Sequence, residues 1–581
     1  MKIVFQELGQ FKKKLILLIL SVVCMTVCMM GWPILLGRLI DVAIPQEDYA
    51  VVFRVCGIML LLIGAGLFFG IESSRFSADI SMGVARNLRS KVFTKVTHFT
   101  EAQCDKFSIS SLINRTNNDV NQLQLFLNQC LAMALAAPIM CIIGLVMSLT
   151  QSPSLSVVMI IAIPVAVLIV FLVGRKAMPL AEQIQEHIDE LNLVTRENLT
   201  GARVIRAFGT TEFEKKRFDK VNASYRKLNM KSQNLMNLLI PLLVALLGLT
   251  AAAIMYLAVM NHAYENIDYT TGEVMALVSY VMQIMAAVVM MTVVFILLPR
   301  ASSSANRVKE VLESESSMVF KAQTAVEPTQ KGTLEFRNVS FTYEGSEQPA
   351  LVDLSFKALP GETTAIIGGT GMGKSTIVNL IPRLFDATEG QVLVDGVDVR
   401  DYKLSELREK IGFVPQKSVL FSGTIDSNIA FGREGATEAD IEEAARTAQS
   451  IDFITQKADG FASHVAQGGS NFSGGQKQRL AIARAMVRKP EVYVFDDSFS
   501  ALDFKTDKAL RTALHEQTKN GEATVVIVAQ RISTIMDADR IIVIDRGEIM
   551  GIGKHQELLR NCPVYREIAI SQLGKEAVDN V

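Results

Sequence analysis

Long uncharged, apolar stretches alternate with charged segments over the first half of the chain. The uncharged stretches are residues 15–37, 55–71, 120–174, 232–261 and 274–299. A membrane-spanning helix needs about 20 consecutive apolar residues, so each stretch is long enough to form one. The third is long enough for two helices, and turn-forming residues around Pro153 divide it. The pattern therefore predicts membrane spans at about 15–39, 51–71, 123–149, 155–174, 235–260 and 274–299.

The pattern changes after residue 300. Short β-branched runs such as Val492–Phe495 and Val525–Val528 then alternate with charged, amphipathic segments. This alternation is typical of strands and helices in an α/β domain. The sequence thus predicts an all-α transmembrane domain with six membrane helices over residues 1–305. A linker at 306–332 and an α/β domain at 333–581 follow.

The charges between the spans predict their orientation. Segments 72–119 and 175–231 carry seven and twelve Lys or Arg residues, whereas the short connections near 41–50 and 150–154 carry none. Positive charge accumulates in cytoplasmic loops, so both termini are expected in the cytoplasm of a multi-pass protein of the cell membrane. The formal net charge of −1 excludes the basic surface of a nucleic-acid-binding protein. Membrane lipid is the expected surrounding.

A glycine-rich loop follows an apolar run in the second half. The run Ala365–Ile367 leads into a sequence that fits G-x-x-x-x-G-K-[ST], the pattern that wraps the phosphates of a nucleoside triphosphate. Lys374 is expected to reach the β- and γ-phosphates, and the Ser375 hydroxyl to hold Mg²⁺. ATP and magnesium are the cofactors that this pattern predicts. The expected binding residues are Gly368, Gly369, Thr370, Gly371, Met372, Gly373, Lys374, Ser375 and Thr376.

Two further features fit a nucleotide site. Asp496 ends the apolar run Val492–Phe495, where a phosphate-loop enzyme places another Mg²⁺ ligand. Ser473, Gly474, Gly475 and Gln476 open a predicted helix, whose first turn can bind an anion. Taken alone, that second motif also fits an ordinary glycine turn that caps a helix.

The order of these motifs resembles an ATP-binding cassette (ABC) exporter half-transporter over essentially the whole chain. The resemblance implies that Tyr343 stacks on adenine and that Gln416 senses Mg²⁺ and links the nucleotide site to the membrane domain. It implies that Ser473–Gln476 form the signature that contacts ATP on a second half-transporter, and that Asp503 lies in a loop at the same interface. Contacts between the loops of the membrane domain and the nucleotide domains are expected near 101–108 and 209–217.

Two positions depart from the pattern of active family members. Asp497 stands where they have a glutamate that polarises the attacking water, and Gln530 stands where they have a histidine that contacts the γ-phosphate. Tolerated drift would explain one change, since Asp is still a base. Two changes at one site instead favour the degenerate half of a heterodimeric exporter, whose own site binds ATP and hydrolyses it slowly.

The function expected from the resemblance is ATP-dependent export of a small molecule, multidrug-type and lipophilic. The methionines of the sixth span, among them Met282, Met285, Met290 and Met291, suit an adaptable cavity, but they also suit lipid contact or core packing. Two alternatives remain: an ATP-gated regulator or channel, and a homodimeric exporter of lipid or peptide.

Overall fold

The computed structural model of the chain describes residues 1–45, 48–265, 269–315, 318, 330–518 and 523–579. It divides into two compact units. The first comprises Met1–His98 and Phe107–Ser314, and the second comprises Phe99–Lys106 and Glu315–Val581. Part of the linker predicted at 306–332 lies outside the described residues.

Among the described residues, six helices of the first unit are long and apolar enough to cross a membrane. Each of the six predicted spans falls inside one of them. The long helices are α1 (Lys2–Ala43), α2 (Tyr49–Thr97), α4 (Ile109–Gln151), α5 (Pro153–Thr200), α7 (Thr211–Ala263) and α8 (Thr271–Glu313). Two short helices connect them, α3 (Glu101–Phe107) and α6 (Ala202–Ala207).

Side chains at the helix ends define where α2 and α8 begin. Asp48 accepts hydrogen bonds from the first N–H groups of α2, and Thr270 and Glu273 form a capping box at the start of α8. Asp41, at the end of α1, accepts from the Gly272 N–H at 2.8 Å and from the Thr270 hydroxyl at 2.6 Å. This carboxylate therefore joins the end of the first membrane helix to the start of the sixth.

The segment Phe99–Lys106 is separated in sequence from the rest of the unit to which it belongs. It groups with the second unit although the residues on both sides belong to the first. Within that unit, the Gln103 side chain donates to the backbone carbonyl of Glu315 at 3.1 Å. The segment overlaps residues 101–108, where the family resemblance predicts contacts with the nucleotide domain.

The second unit contains two main sheets. One has the order β2-β1-β4-β5, and the other has the order β12-β11-β3-β10-β9-β6. In the second sheet, β11, β3, β10, β9 and β6 are mutually parallel and β12 is antiparallel. The strands are β1 (Leu334–Phe341), β2 (Leu351–Ala358), β3 (Thr363–Ile367), β4 (Glu389–Val394), β5 (Val397–Asp398), β6 (Ile411–Val414), β7 (Gly423–Thr424), β8 (His464–Val465), β9 (Val492–Asp496), β10 (Thr524–Val528), β11 (Arg540–Asp545) and β12 (Glu548–Gly553).

Helices cover these sheets. They are α9 (Lys374–Leu380), α10 (Leu404–Glu409), α11 (Ile425–Ala430), α12 (Glu438–Thr447), α13 (Ile451–Thr455), α14 (Gly474–Met486), α15 (Phe504–Thr518), α16 (Ile532–Ile535), α17 (His555–Asn561), α18 (Pro563–Leu573) and α19 (Lys575–Asp579). Every residue of β9 and β10 is buried, which explains why those strands read as continuous apolar runs. The predicted combination of a six-helix membrane domain and an α/β domain is confirmed. The loops that leave the carboxyl ends of β3, β9 and β10 build the site.

Candidate nucleotide site

The glycine-rich loop joins β3 to α9 and requires glycine at three places, the first being Gly368, where a Cβ would collide with the Ile544 carbonyl oxygen. Gly371 and Gly373 have φ angles of +81° and +91°, which side chains with a Cβ rarely adopt. A Cβ on Gly373 would also lie 2.8 Å from the Ala350 carbonyl oxygen. The backbone of the loop is therefore fixed by both conformation and close packing.

Lys374 folds back over this loop. Its Nζ donates to the carbonyl oxygen of Gly368 at 2.8 Å and to that of Gly369. Burial lowers the pKa of Lys374, and the nearby carboxylates of Asp497 and Asp496 oppose that shift. A buried ammonium group held in this way supplies positive charge next to the loop.

Ser375 and Asp496 meet at the carboxyl end of β9. The Ser375 hydroxyl donates to Asp496 Oδ1 at 3.1 Å, and burial raises the pKa of Asp496. Mg²⁺ prefers oxygen ligands and is usually held by one or two carboxylates together with substrate phosphates. This pair fits that description: Ser375 and Asp496 would hold the ion, and the ion would supply positive charge to the phosphates.

Asp497, the next residue, is held by two side-chain amides. Its Oδ2 accepts from Gln530 Nε2 at 2.9 Å and from Gln416 Nε2 at 3.4 Å. Its own N–H donates to the Val528 carbonyl at 3.0 Å, and its φ of +48° turns the chain sharply after β9. The structure thus brings together three residues that the sequence placed far apart. The pKa of Asp497 lies above its ordinary value because the carboxyl is buried. The Gln416 hydrogen bond and the charge of Lys374 act in the opposite direction but do not cancel the shift.

Tyr343 lies beside the same loop. Its hydroxyl and that of Thr376 are 2.9 Å apart and share a hydrogen bond. Its ring packs edge-on against Phe341 and Phe385, at centroid distances of 4.8 and 5.5 Å. The residue as a whole remains 39% exposed.

Ser473 begins α14 with a capping box. Its hydroxyl accepts from the Gln476 N–H at 3.3 Å, and the Gln476 side chain accepts from the Ser473 N–H at 3.0 Å. A Cβ on Gly475 would lie 3.1 Å from the Ala501 carbonyl oxygen, which explains the glycine. Ser473 and Gly474 are exposed, so the first turn of this helix is open to a ligand.

Asp503 caps α15 in a similar way. Its carboxylate accepts from the Thr506 N–H at 3.1 Å and from the Thr506 hydroxyl at 2.7 Å. These hydrogen bonds lower the pKa of Asp503. The residue therefore remains a carboxylate at neutral pH.

The side chain of Met372 has a role that the sequence did not suggest. Its sulfur accepts a hydrogen bond from the Arg546 N–H at 3.2 Å, in the turn between β11 and β12. A thioether is a weak acceptor, so the bond contributes modestly to holding the loop. Nothing in the local sequence around Met372 points to this contact, because Arg546 lies 174 residues away.

Comparisons with known proteins agree with this architecture. The family description "ABC transporter transmembrane region" matches residues 15–288, and "ABC transporter" matches residues 351–500. The chain is 36% identical to an uncharacterised ABC transporter ATP-binding protein of Mycobacterium tuberculosis, over 99% of both chains. It is 34% identical to a Bacillus subtilis protein described in the same words, over 94% of both chains.

Two further similarities extend the comparison. The chain is 32% identical to the ATP-dependent lipid A-core flippase of Vibrio cholerae, over 90% of this chain and 88% of that protein. Its fold is similar to a solved structure of a bacterial Atm1-family ABC exporter with ATP bound. That match has a TM-score of 0.80 and 24% identity, and it covers 97% of this chain and 98% of the other.

Proposed function

This chain belongs to the ABC transporter family, and we propose that it is one half of a heterodimeric, ATP-driven exporter. The six apolar helices form the membrane half, and the second unit is an ABC-type ATPase coupled to transport. In this proposal both termini are cytoplasmic, as the charges of the loops predict. The domain boundaries predicted at 305 and 333 remain part of the proposal.

The nucleotide-binding parts support ATP binding at the chain's own site. Lys374 supplies a buried positive charge, and Ser375 and Asp496 supply oxygen ligands for Mg²⁺. Tyr343, a partly exposed residue, offers its ring for adenine. We therefore assign ATP binding to residues 368–376 together with these side chains.

The arrangement around Asp497 is the observation that supports unequal rates of ATP hydrolysis at the two sites of the proposed dimer. One carboxylate oxygen accepts two amide hydrogen bonds, from Gln530 and Gln416. A general base must reach the water that it activates, and Asp reaches less far than Glu. The Gln530 amide cannot gain or lose a proton near neutral pH, so it does not replace a histidine in acid–base chemistry. The chain's own site is proposed to hold ATP and to hydrolyse it slowly.

The signature supports a complementary role toward a partner. Ser473 has an open position at the start of α14, and its capping box keeps the first turn of the helix well formed. In the proposed dimer, Ser473–Gln476 and Asp503 complete the site of a second half-transporter that retains the Glu and the His. Most ATP turnover then occurs on that partner's side.

The substrate is proposed to be lipophilic. Met282 and Met290 are exposed on α8, whereas Met285 is buried in the helix bundle. Flexible thioether side chains suit a surface that accepts varied apolar molecules. The similarity to lipid A-core flippases favours a second candidate within the same class, a homodimeric exporter of lipid.

Purification tests this proposal directly. The tagged chain, expressed with its neighbouring genes, should co-purify with a second half-transporter, and the pair should hydrolyse ATP much faster than the chain alone. High activity of the chain alone, as a homodimer, would reject the heterodimer and favour the second candidate. Accumulation of a lipophilic dye against its gradient in vesicles separates an exporter from an ATP-gated channel.

A further inference from the structure

Gln572, near the end of helix α18, binds the loop that carries Gln530. The Gln572 Nε2 donates to the Gln530 carbonyl oxygen at 2.7 Å, and the Ile532 N–H donates to Gln572 Oε1 at 2.8 Å. One side-chain amide thus pairs with the backbone on both sides of Arg531. Both distances lie in the normal range for strong hydrogen bonds between amides.

The helix that carries Gln572 is firmly anchored. Tyr565 and Ala569, on its inner face, have no exposed surface. The Tyr565 hydroxyl lies 2.6 Å from His555 Nδ1 of α17, within hydrogen-bond distance. After Gly574, α19 buries Val578 in the same core. Helix α18 therefore cannot shift without disturbing the core, and Gln572 binds the loop from a fixed position.

The Gln530 side chain of this loop contacts the nucleotide site. The Gln530 amide donates to Asp497 Oδ2 at 2.9 Å, and Asp497 follows directly after the Mg²⁺ candidate Asp496. The backbone hydrogen bonds on both sides of Arg531 restrict where the Gln530 amide can move. A contact made on α18 is therefore transmitted to the carboxylate beside the phosphate loop.

We propose that Gln572 is a positioning residue: it fixes the 530–532 loop so that Gln530 stays on Asp497 and bound ATP is retained at this site. The inference rests on the proposed function, because it assumes that this site holds nucleotide through many turnovers of the partner site. It places one determinant of nucleotide retention on α18, outside the phosphate loop.

The test is the rate at which nucleotide leaves this site. The full-length chain, together with the half-transporter that co-purifies, is loaded with the fluorescent analogue MANT-ATP and Mg²⁺ and then chased with unlabelled ATP. The partner's catalytic glutamate is changed to glutamine so that its site is silent. Gln572→Ala removes two hydrogen bonds and is expected to speed release from this site roughly three- to thirtyfold.

Two variants separate positioning from general stability. Gln572→Glu keeps the acceptor for the Ile532 N–H but turns a carboxylate oxygen toward the Gln530 carbonyl oxygen, and two acceptors repel each other, so its release should be at least as fast as that of Gln572→Ala. Glu567→Ala, at an exposed position of the same helix, should leave the rate unchanged. All three proteins should keep the melting temperature of wild type within a few degrees.

These experiments distinguish failure of the positioning role of Gln572 from failure of the proposed function. Release from the Gln572→Ala and Gln572→Glu variants at the wild-type rate would overturn the positioning role. A fall in melting temperature with unchanged release would show a purely structural residue and would overturn it equally. If Lys374→Ala leaves MANT-ATP binding at this site unchanged, the proposed function itself fails.

Discussion

Restoring the two altered residues should convert the slow site into a hydrolytic one. The change is Asp497→Glu with Gln530→His, in a complex whose partner site is silenced by its own Glu→Gln substitution. The extra methylene of glutamate extends the carboxylate by about 1.5 Å. Reacting groups must approach to roughly 3–3.5 Å, and a misplacement of about 1 Å can cost on the order of 10²-fold in rate. The difference in reach between the Asp497 carboxylate and a glutamate carboxylate is therefore large enough to slow hydrolysis.

The magnitude follows from what a general base contributes. A well-placed base accelerates a reaction by about 10²–10⁴-fold, or roughly 3–5 kcal/mol of activation free energy. Asp497 retains part of this, and two amide hydrogen bonds hold it in place. We therefore expect the double change to raise hydrolysis at this site by at least about tenfold. The rate increase of the double variant should exceed the product of the increases of the two single variants, because the effects of residues that act as one unit are not additive.

Phosphate release from the partner-silenced complex measures the effect. Adding Lys374→Ala to the double variant is the control, because it should abolish the gain if the new activity arises at this phosphate loop. Melting temperature and MANT-ATP affinity should change little. If the partner-silenced complex already hydrolyses ATP at an ordinary exporter rate with Asp497 and Gln530 unchanged, the reasoning is refuted.

Two other predictions concern assembly and topology. Ser473→Arg should abolish most turnover of the complex, since it obstructs the partner's ATP. Loss of the cap costs only about 1 kcal/mol, so the folded protein should persist in thermal unfolding, and near-normal turnover would contradict the role of the signature. In a cysteine-free background, Tyr49→Cys and Ser154→Cys should react with a membrane-impermeant maleimide added outside intact cells, whereas Arg217→Cys and Ser302→Cys should not. Labelling of the position-217 variant from outside would overturn the orientation.

The sequence predicted those features that depend on local composition. Uncharged runs mark membrane helices because charge is costly in lipid, and all six predicted spans lie inside long helices. The phosphate loop was equally visible, since its glycines at 371 and 373 serve the backbone itself. Asp496 was found because a strand that ends in a carboxylate is a local pattern.

Features that depend on distant contacts were not visible. Gln572 and Gln530 are 42 residues apart, and no periodicity or motif pairs them. The Asp41 carboxylate accepts a hydrogen bond from the first turn of a helix that begins far along the chain, at Thr271. Such contacts exist only once the chain has folded.

The central claim is that this chain holds ATP while its partner hydrolyses it. The most direct test is to identify the nucleotide on each subunit during turnover. The purified pair is supplied in parallel with 8-azido-ATP labelled on the α-phosphate or on the γ-phosphate, irradiated at steady state, and separated into its subunits. Both labels on a subunit indicate bound triphosphate, and the α label alone indicates diphosphate. The account predicts intact triphosphate on this chain and mostly diphosphate on the partner. Diphosphate in equal proportion on both subunits would contradict it.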